Sequence, residues 1–378
     1  MTNKGFMNLN DAALQWLGGN EQIGGRIIAI DVQKGCPWQC IGCGVCAPKK
    51  TENMKWSDYM IISDSILEVL AKKRIDILTD DRVDPFYTSD SPFYHSKDGN
   101  SEKTAYHIVN DLLTRHLKDV GLTTAGWTPG NNYMQRAMED IVNNYSSNEA
   151  RLLLSYSIKS ATISVIKEYN KFLDQNPGIN AHNRLLNKKI LEQSRYISRI
   201  INNLETLAPL NHLDTIVFGL QCFDPEIIKK LDSKYDRYQY LFSENFMLQT
   251  QNYIIQHWKN NPPKDESGIP YKAPPFTKRS FEGIGNVLNM GDVTPSLRLL
   301  QNRDAIDSNS KEKLDENDYF AQITCEGNIE IYYGIRHYLS SKKVSKEHFI
   351  RLAQNETDPL KREEYRMLSE LHGTNVLR

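Results

Sequence analysis

The chain has 378 residues, of which 39% are hydrophobic, a length and composition that allow one large core together with an accessory domain. Its formal net charge of −1 gives no indication of a nucleic-acid-binding surface or of an acidic solvated arm. No apolar run reaches the roughly 20 residues of a membrane-spanning helix, and the N-terminus lacks the layout of a signal peptide, so we expect a cytoplasmic protein without a membrane partner.

Residues 1–25 are predicted to form a short helix at 11–17 and a Gly-rich linker at 18–25, because the glycines lack the Lys-Ser/Thr ending of a P-loop. Beyond the linker, β-branched runs alternate with amphipathic helical patterns, which is typical of βαβ units with a parallel sheet. The predicted strands are 26–32, 75–78, 120–127, 151–158 and 214–220. The predicted helices are 57–74 with Ser57 as N-cap, 106–118, 133–144, 161–174 and 183–207.

The pattern changes after residue 260, where Asn261-Pro-Pro and Ala273-Pro-Pro indicate turns and extended chain. Residues 318–333 predict a hairpin that turns at Glu326-Gly327-Asn328, and charged helices follow it. We therefore predict three parts: an N-terminal helix and linker at 1–25, an α/β core at 26–260, and a C-terminal extension at 261–378.

Four of the six cysteines, Cys36, Cys40, Cys43 and Cys46, lie within eleven residues. A disulfide framework spreads its cysteines along the chain, so this clustering indicates metal or cluster ligation in a reducing compartment. The spacing Cys36-x3-Cys40-x2-Cys43 lies on the loop after the first predicted strand. Three thiolates this close can hold three irons of a cubane cluster and leave the fourth iron open to another ligand.

This spacing in this position resembles the radical S-adenosylmethionine (radical SAM) superfamily, and the order of elements extends the resemblance over about residues 26–240. It implies a partial or full (β/α) barrel with a C-terminal extension, and one [4Fe–4S] cluster on Cys36, Cys40 and Cys43. It further implies S-adenosylmethionine as cosubstrate, cleaved reductively to a 5′-deoxyadenosyl radical, with an external reductant such as a flavodoxin or ferredoxin. The substrate stays open between a small molecule and a peptide; we expect no nucleic acid, because no basic, aromatic-laced stripe is visible.

The resemblance also implies residues that bind the cosubstrate after the second predicted strand. The Asp-Pro-Phe sequence at Asp84 is similar to one branch of the superfamily, and Asp81 or Asp84 would then accept hydrogen bonds from the ammonium or ribose. A solvated turn before Pro85 explains these aspartates equally well.

Further candidates lie near the ends of two later strands. Ser155 and Ser157 share a strand face close to the carboxyl end, where barrel enzymes carry their chemistry, although plain strand filling also explains them. The segment from Phe218 resembles the methylthiotransferase and coproporphyrinogen-oxidase-like branches, which implies a polar group at the barrel mouth at Gln221.

Two features depart from the pattern of the superfamily. Gly42 stands where many members of the superfamily carry an aromatic residue, for which Trp38 is a candidate replacement. Cys46 as a fourth ligand would close the cluster and give a ferredoxin-like electron carrier, and four clustered cysteines also suit a structural zinc module. Cys222 and Cys325 alone cannot hold an auxiliary four-ligand cluster, so we expect a single cluster.

Overall fold

The structure, a computed structural model, describes residues 27–38, 49–64, 83–86, 89–116, 119–130, 132–145, 150–159, 163–177, 195–210, 216–223, 239–274, 276–281, 319–333 and 342–377. The predicted helix at 11–17, the linker at 18–25 and the predicted strand at 75–78 lie outside these residues. Within the described ranges, no helix combines the length and the apolar character needed to cross a bilayer.

Strands and helices alternate through much of the described chain. The strands are β1 (Ile27–Ile30), β2 (Gln33–Lys34), β3 (Glu52–Asn53), β4 (His95–Asp98), β5 (Ser101–Thr104), β6 (Val120–Thr124), β7 (Leu152–Lys159), β8 (Ile216–Phe223), β9 (Phe276–Phe281), β10 (Tyr319–Ile323), β11 (Ile329–Tyr333) and β12 (Lys342–Lys343). The helices are α1 (Trp56–Ile62), α2 (Ala105–Asn110), α3 (Asn132–Asn144), α4 (Ile163–Gln175), α5 (Arg195–Leu207), α6 (Gln239–Phe242), α7 (Glu244–Asn260), α8 (Lys346–Asn355) and α9 (Pro359–Leu371). Short 3-10 turns lie at Ser91–Phe93 and Ala208–Leu210, and a π-helical turn at Asp111–Arg115 continues α2.

Strands β6 to β9 form one parallel sheet in which each strand pairs with the next along the chain. The first pair is in register with Val120 beside Leu152. Alternate residues of β7 from Leu152 to Ile158 are at most 1% exposed, whereas Leu153 and Ser155 on the other face are half-buried. Since side chains alternate along a strand, one face of this sheet is fully packed and the other is more open.

A short segment continues this parallel order toward β1. Val83 forms a parallel bridge with Val120, and the Gly121 N–H donates to the Val83 carbonyl at 2.9 Å. On the other side of the segment, the Val32 N–H donates to the Pro85 carbonyl at 3.0 Å. Hydrogen bonds therefore connect the chain just after β1, residues 83–86, β6, β7, β8 and β9 in the order in which they occur in the chain.

The second sheet has the strand order β1, β10, β11, β12, with β1 parallel to β10 and the remaining pairs antiparallel. Helices α8 and α9 contribute aromatic side chains to its core, where the Tyr319 ring centroid lies 5.1 Å from Phe349 and 6.4 Å from Tyr365. These apolar contacts bury the strands that follow residue 318 and attach the C-terminal helices to β10.

The predicted hairpin is present as β10 and β11, and its turn contains Gly327 at a φ of +80°. A Cβ atom at Gly327 would lie 2.5 Å from the Leu377 side chain, so the turn requires glycine for both its φ and its packing. Strands from 261–378 pair directly with strands from 26–260, at β1–β10 and again at β8–β9. The predicted boundary at residue 260 therefore separates segments that share sheets.

Several predicted boundaries are wrong, and two of them have a local physical reason. The helix predicted from Ser57 begins at Trp56 with Lys55 as N-cap, and the Ser57 N–H is satisfied by the Asp98 carboxylate at 2.8 Å instead of by a local cap. The strand predicted at 120–127 ends at Thr124, because the next residues turn through Gly126 at a φ of +97°.

Candidate functional site

The carboxyl ends of the parallel strands β6 to β9 lie at one edge of their sheet, which is the edge where α/β enzymes bind ligands. The cysteine segment begins near this edge. Cys36 is half-buried and follows Gly35, whose φ of +93° lets the chain turn after β2. Of the predicted cluster ligands, Cys40 and Cys43 lie outside the described residues, as does Cys46.

Trp38 attaches the cysteine segment to the turn that follows β6. Its indole Nε1–H donates to the Gly126 carbonyl at 3.2 Å, and its ring makes an edge contact with Phe93 at a centroid distance of 5.5 Å. A guanidinium lies against the same indole, with Cζ of Arg199 4.1 Å from the ring centroid. Gly126, Phe93 and Arg199, which are distant from one another in the chain, therefore hold Trp38 in place.

The turn after β6 is shaped by a buried carboxylate. Asp90 is 4% exposed and accepts hydrogen bonds from the Thr124 hydroxyl at 2.6 Å and from the Ala125 N–H at 2.7 Å. The Gly126 N–H in turn donates to the Thr124 oxygen at 2.9 Å. Because charge-assisted hydrogen bonds are among the stronger ones in proteins, Asp90 fixes the course of the chain where Trp38 docks.

Asn203 on α5 completes this turn from the other side. Its side-chain oxygen accepts from the Trp127 N–H at 3.0 Å and from the Tyr156 hydroxyl at 3.1 Å, and its amide donates to the Trp127 carbonyl at 3.2 Å. Burial raises the pKa of Tyr156, so its hydroxyl is a neutral donor at physiological pH. A Cβ atom at Gly126 would lie 2.3 Å from the Asn203 oxygen, which leaves no room for a side chain there.

Arg199, one turn before Asn203 on α5, is the buried cation of this edge. It is 9% exposed, its Nε has no hydrogen-bond partner, and it makes no ion pair with any residue that the structure describes. The guanidinium instead lies near two aromatic rings, with its Cζ 4.1 Å from the ring centroid of Trp38 and 5.6 Å from that of Tyr196. The buried carboxylate of Asp90 is directed to Thr124 and Ala125.

The predicted cosubstrate residues occupy different places. Asp84 is 9% exposed and lies in the segment that bridges to β6, so it is not part of a solvated turn, and Asp81 lies outside the described residues. Ser155 is half-buried on the more open face of the sheet, beside Thr123 of β6. For Ser157 and Gln221 the structure describes the backbone, which places them in β7 and β8; Ser157 pairs with Gly219, and Gln221 pairs with Lys159.

Sequence reasoning missed the polar residues that shape this edge, namely Asp90, Asn203 and Arg199. Asp90 carried a local signal, because an Asp before Ser-Pro-Phe is a common start for a helical turn, and the structure has a 3-10 turn there. The sequence signal for Asn203 and Arg199 was weaker. Both fall on the apolar face of a predicted amphipathic helix, where a buried polar side chain is costly unless it has a partner.

Cys325 lies in the hairpin turn beside β2, whose Lys34 forms an ion pair with Glu326 at 3.2 Å. Burial and the neighbouring Glu326 carboxylate raise the pKa of Cys325 to about 12. A metal or a disulfide requires the thiolate, which this surrounding disfavours.

A second polar cluster joins the end of α1 to the π-helical turn after α2. The Asp111 carboxylate accepts from the Tyr59 hydroxyl at 2.7 Å and from the Ser63 hydroxyl at 2.6 Å, and His116 Nε2 lies 2.8 Å from the Ser63 oxygen. Since the Ser63 proton is directed to Asp111, the serine is not poised for transfer of that proton to His116. We read this Ser, His and Asp combination as a packing device between two helical segments.

Within the described residues, which include Cys36 but none of the other clustered cysteines, no group of three His, Cys, Asp or Glu side chains forms a metal-binding set. Comparison with known proteins finds no matching family model, no matching curated protein and no matching solved structure. The function is therefore argued from the residues and their geometry.

Proposed function

We propose that this chain is a radical SAM enzyme in which Cys36, Cys40 and Cys43 hold three irons of one [4Fe–4S] cluster. The observation that carries the proposal is the position of Trp38, which hydrogen-bonds to Gly126 directly after β6 and so brings the start of the cysteine segment to the carboxyl edge of the parallel strands. A cysteine segment at that edge is what a cluster-dependent (β/α) barrel requires.

The hydrogen-bonded order of the parallel segments supports a partial (β/α) barrel as the fold. From Val32, which follows β1, through residues 83–86 and β6 to β9, each of these segments bonds to the following one. Sequential parallel strands with intervening helices are the arrangement from which such barrels are built.

The donor chemistry at Cys36 fits an iron–sulfur cluster. Cysteine thiolates are the usual ligands of such clusters, and Cys36 is half-buried. Once bound, the cluster supplies the electron that cleaves S-adenosylmethionine into methionine and a 5′-deoxyadenosyl radical. Cys46 is proposed to lie beside the cluster without binding it, which leaves the fourth iron to the cosubstrate.

The chain's own residues orient the cosubstrate and keep water away. Asp84, which is buried, or Asp81 is proposed to accept hydrogen bonds from the cosubstrate ammonium or ribose, because a carboxylate suits a cationic donor. Ser155 or Ser157 is proposed to contact the cosubstrate, and Gln221 to supply a polar group at the barrel mouth. The reductant is proposed to be a flavodoxin or ferredoxin in the cytoplasm, and the substrate a small molecule or a peptide.

Anaerobic reconstitution with iron and sulfide, reduction by dithionite and chromatographic detection of 5′-deoxyadenosine test the proposal. The expected result is about four irons per chain and formation of deoxyadenosine that depends on added S-adenosylmethionine. Cys36→Ser is expected to abolish both, whereas the matched control Cys325→Ser is expected to retain both. A fully loaded cluster that yields no deoxyadenosine would disprove the proposed function.

A further inference from the structure

Arg199 is a buried cation whose charge the described residues do not compensate. It is 9% exposed. Among the described residues, no carboxylate forms an ion pair with it and no acceptor forms a hydrogen bond with its Nε–H. Burying a guanidinium without an anion is costly, because the charge loses its hydration. Cation–π attraction to the rings of Trp38 and Tyr196 offsets only part of this desolvation free energy.

The surroundings of the guanidinium are already committed to other contacts. The Asn203 side chain is bonded to Trp127 and Tyr156, and the Asp90 carboxylate is bonded to Thr124 and Ala125. Among the residues that the structure describes, none forms an ion pair with Arg199. A planar guanidinium directs its N–H donors outward along its edge, which is the geometry that binds carboxylate and phosphate groups.

The place of Arg199 connects this unpaired charge to the proposed chemistry. Its ring partner Trp38 lies two residues after Cys36 and is bonded to the turn after β6. An anion bound at Arg199 would thus sit next to the cysteine segment. We infer that Arg199 binds an oxyanion of the substrate, so that the substrate of this enzyme carries a carboxylate or a phosphate group; the inference rests on the proposed function.

Ligand-induced stabilisation of the cluster-loaded full chain tests this inference without turnover. Thermal unfolding is followed anaerobically with inorganic phosphate or acetate as probe, and with sodium chloride at equal ionic strength as the salt control. A ligand that binds only the folded chain raises the midpoint of unfolding in proportion to the logarithm of its concentration. The wild-type chain is expected to be stabilised by at least one of the two probes and not by chloride.

Substitutions at Arg199 test whether this residue binds the anionic probe. Arg199→Gln is expected to weaken the apparent affinity for the probe by about ten- to hundredfold, because a charge-assisted hydrogen bond is lost. Arg195→Gln, which removes an exposed arginine from the same helix, is the matched control and is expected to leave the affinity unchanged. Arg199→Lys keeps the charge and loses the planar fork, so an intermediate affinity is expected even where the glutamine variant folds poorly.

Binding of S-adenosylmethionine, measured by the change in the cluster's EPR signal, separates the substrate from the cosubstrate. Arg199→Gln is expected to leave this binding unchanged. No stabilisation of the wild type by either probe, equal affinities in wild type and Arg199→Gln, or a parallel loss of S-adenosylmethionine binding would each overturn the inference. Failure to form deoxyadenosine would bear on the proposed function alone, since probe binding requires no turnover.

Discussion

The indole N–H of Trp38 donates to the carbonyl of Gly126, a residue 88 positions further along the chain. This bond links the start of the cysteine segment to the turn after β6, and Arg199 lies on the other side of the same indole. The position of Trp38, two residues after Cys36, therefore depends on a turn that Asp90 and Asn203 shape.

Trp38→Phe is expected to lower the free energy of unfolding by about 1 kcal/mol, because it removes the hydrogen bond to Gly126 and leaves a carbonyl without its partner. It should also reduce the cluster content after reconstitution. Urea unfolding and iron analysis measure the two effects. Trp56→Phe is the matched control, because the Trp56 indole makes no hydrogen bond among the described residues; equal losses in both variants would contradict the role given to Trp38.

Gly126→Ala is expected to destabilise the chain by about 2–4 kcal/mol. Part of the cost is the left-handed backbone at a φ of +97°, and the larger part is the clash of a Cβ atom 2.3 Å from the Asn203 oxygen. Gly130→Ala isolates the backbone part, because its φ is +79° and no atom lies within 4 Å of the added Cβ. This control should cost about 1 kcal/mol in the same urea titration, and a similar cost for both variants would refute the packing argument.

Asp111→Asn tests the second polar cluster through its pH dependence. Burial raises the pKa of Asp111, but hydrogen bonds from His116, Ser63 and Tyr59 lower it further, so the net pKa lies below its ordinary value. A carboxyl group with a depressed folded-state pKa stabilises the fold above its unfolded pKa of about 3.9, and this contribution is lost as the pH falls through the folded-state value.

The wild-type chain should therefore lose stability as the pH falls below about 4, and Asp111→Asn should flatten that part of the curve. At pH 7 the variant is expected to be less stable by about 1–3 kcal/mol, because the hydrogen bonds to a charged acceptor are lost. Urea titrations at a series of pH values from about 7 downward measure both effects. Asp64→Asn is the control, because the exposed Asp64–Arg115 pair contributes at most about 1 kcal/mol; identical pH profiles for the wild type and Asp111→Asn would refute the prediction.

Cys46→Ser distinguishes an open cluster from a closed one. With three protein ligands on the cluster, the variant is expected to retain its iron and to form deoxyadenosine at a rate within about twofold of the wild type, because only a non-ligating thiol is lost. Cys43→Ser is the matched comparison and is expected to lose both. Loss of iron in Cys46→Ser, measured on anaerobically prepared protein, would favour the ferredoxin-like alternative.

Cys325 should react slowly with iodoacetamide in the folded chain. Its pKa is raised to about 12 by burial and by the Glu326 carboxylate, so the reactive thiolate is scarce at pH 8. Mass spectrometry of the labelled peptide should show alkylation at least about tenfold slower than in the urea-unfolded chain. Equal labelling in the folded and unfolded chains would show that the thiolate is accessible.

Local sequence patterns were sufficient to locate the strands and turns that depend on residues close together in the chain. The β-branched and apolar runs located β7 to within one residue at each end and located β8, which runs three residues past its predicted end. The Glu326-Gly327-Asn328 signal located the hairpin turn. The pattern failed at Trp127, which was assigned to a strand although the chain turns at Gly126. The reason is that the turn is stabilised by Asp90 and Asn203, which are remote in sequence.

The sequence by itself determined the composition class, the clustering of the cysteines and the alternation of strands with helices, because these depend on the order of residues along the chain. The tertiary structure alone decided that β1 pairs with β10, that Trp38 meets Gly126, and that Arg199 is buried without a partner carboxylate among the described residues. Such contacts join residues far apart in the chain, and they are selected by the packing of whole segments, which no local pattern encodes.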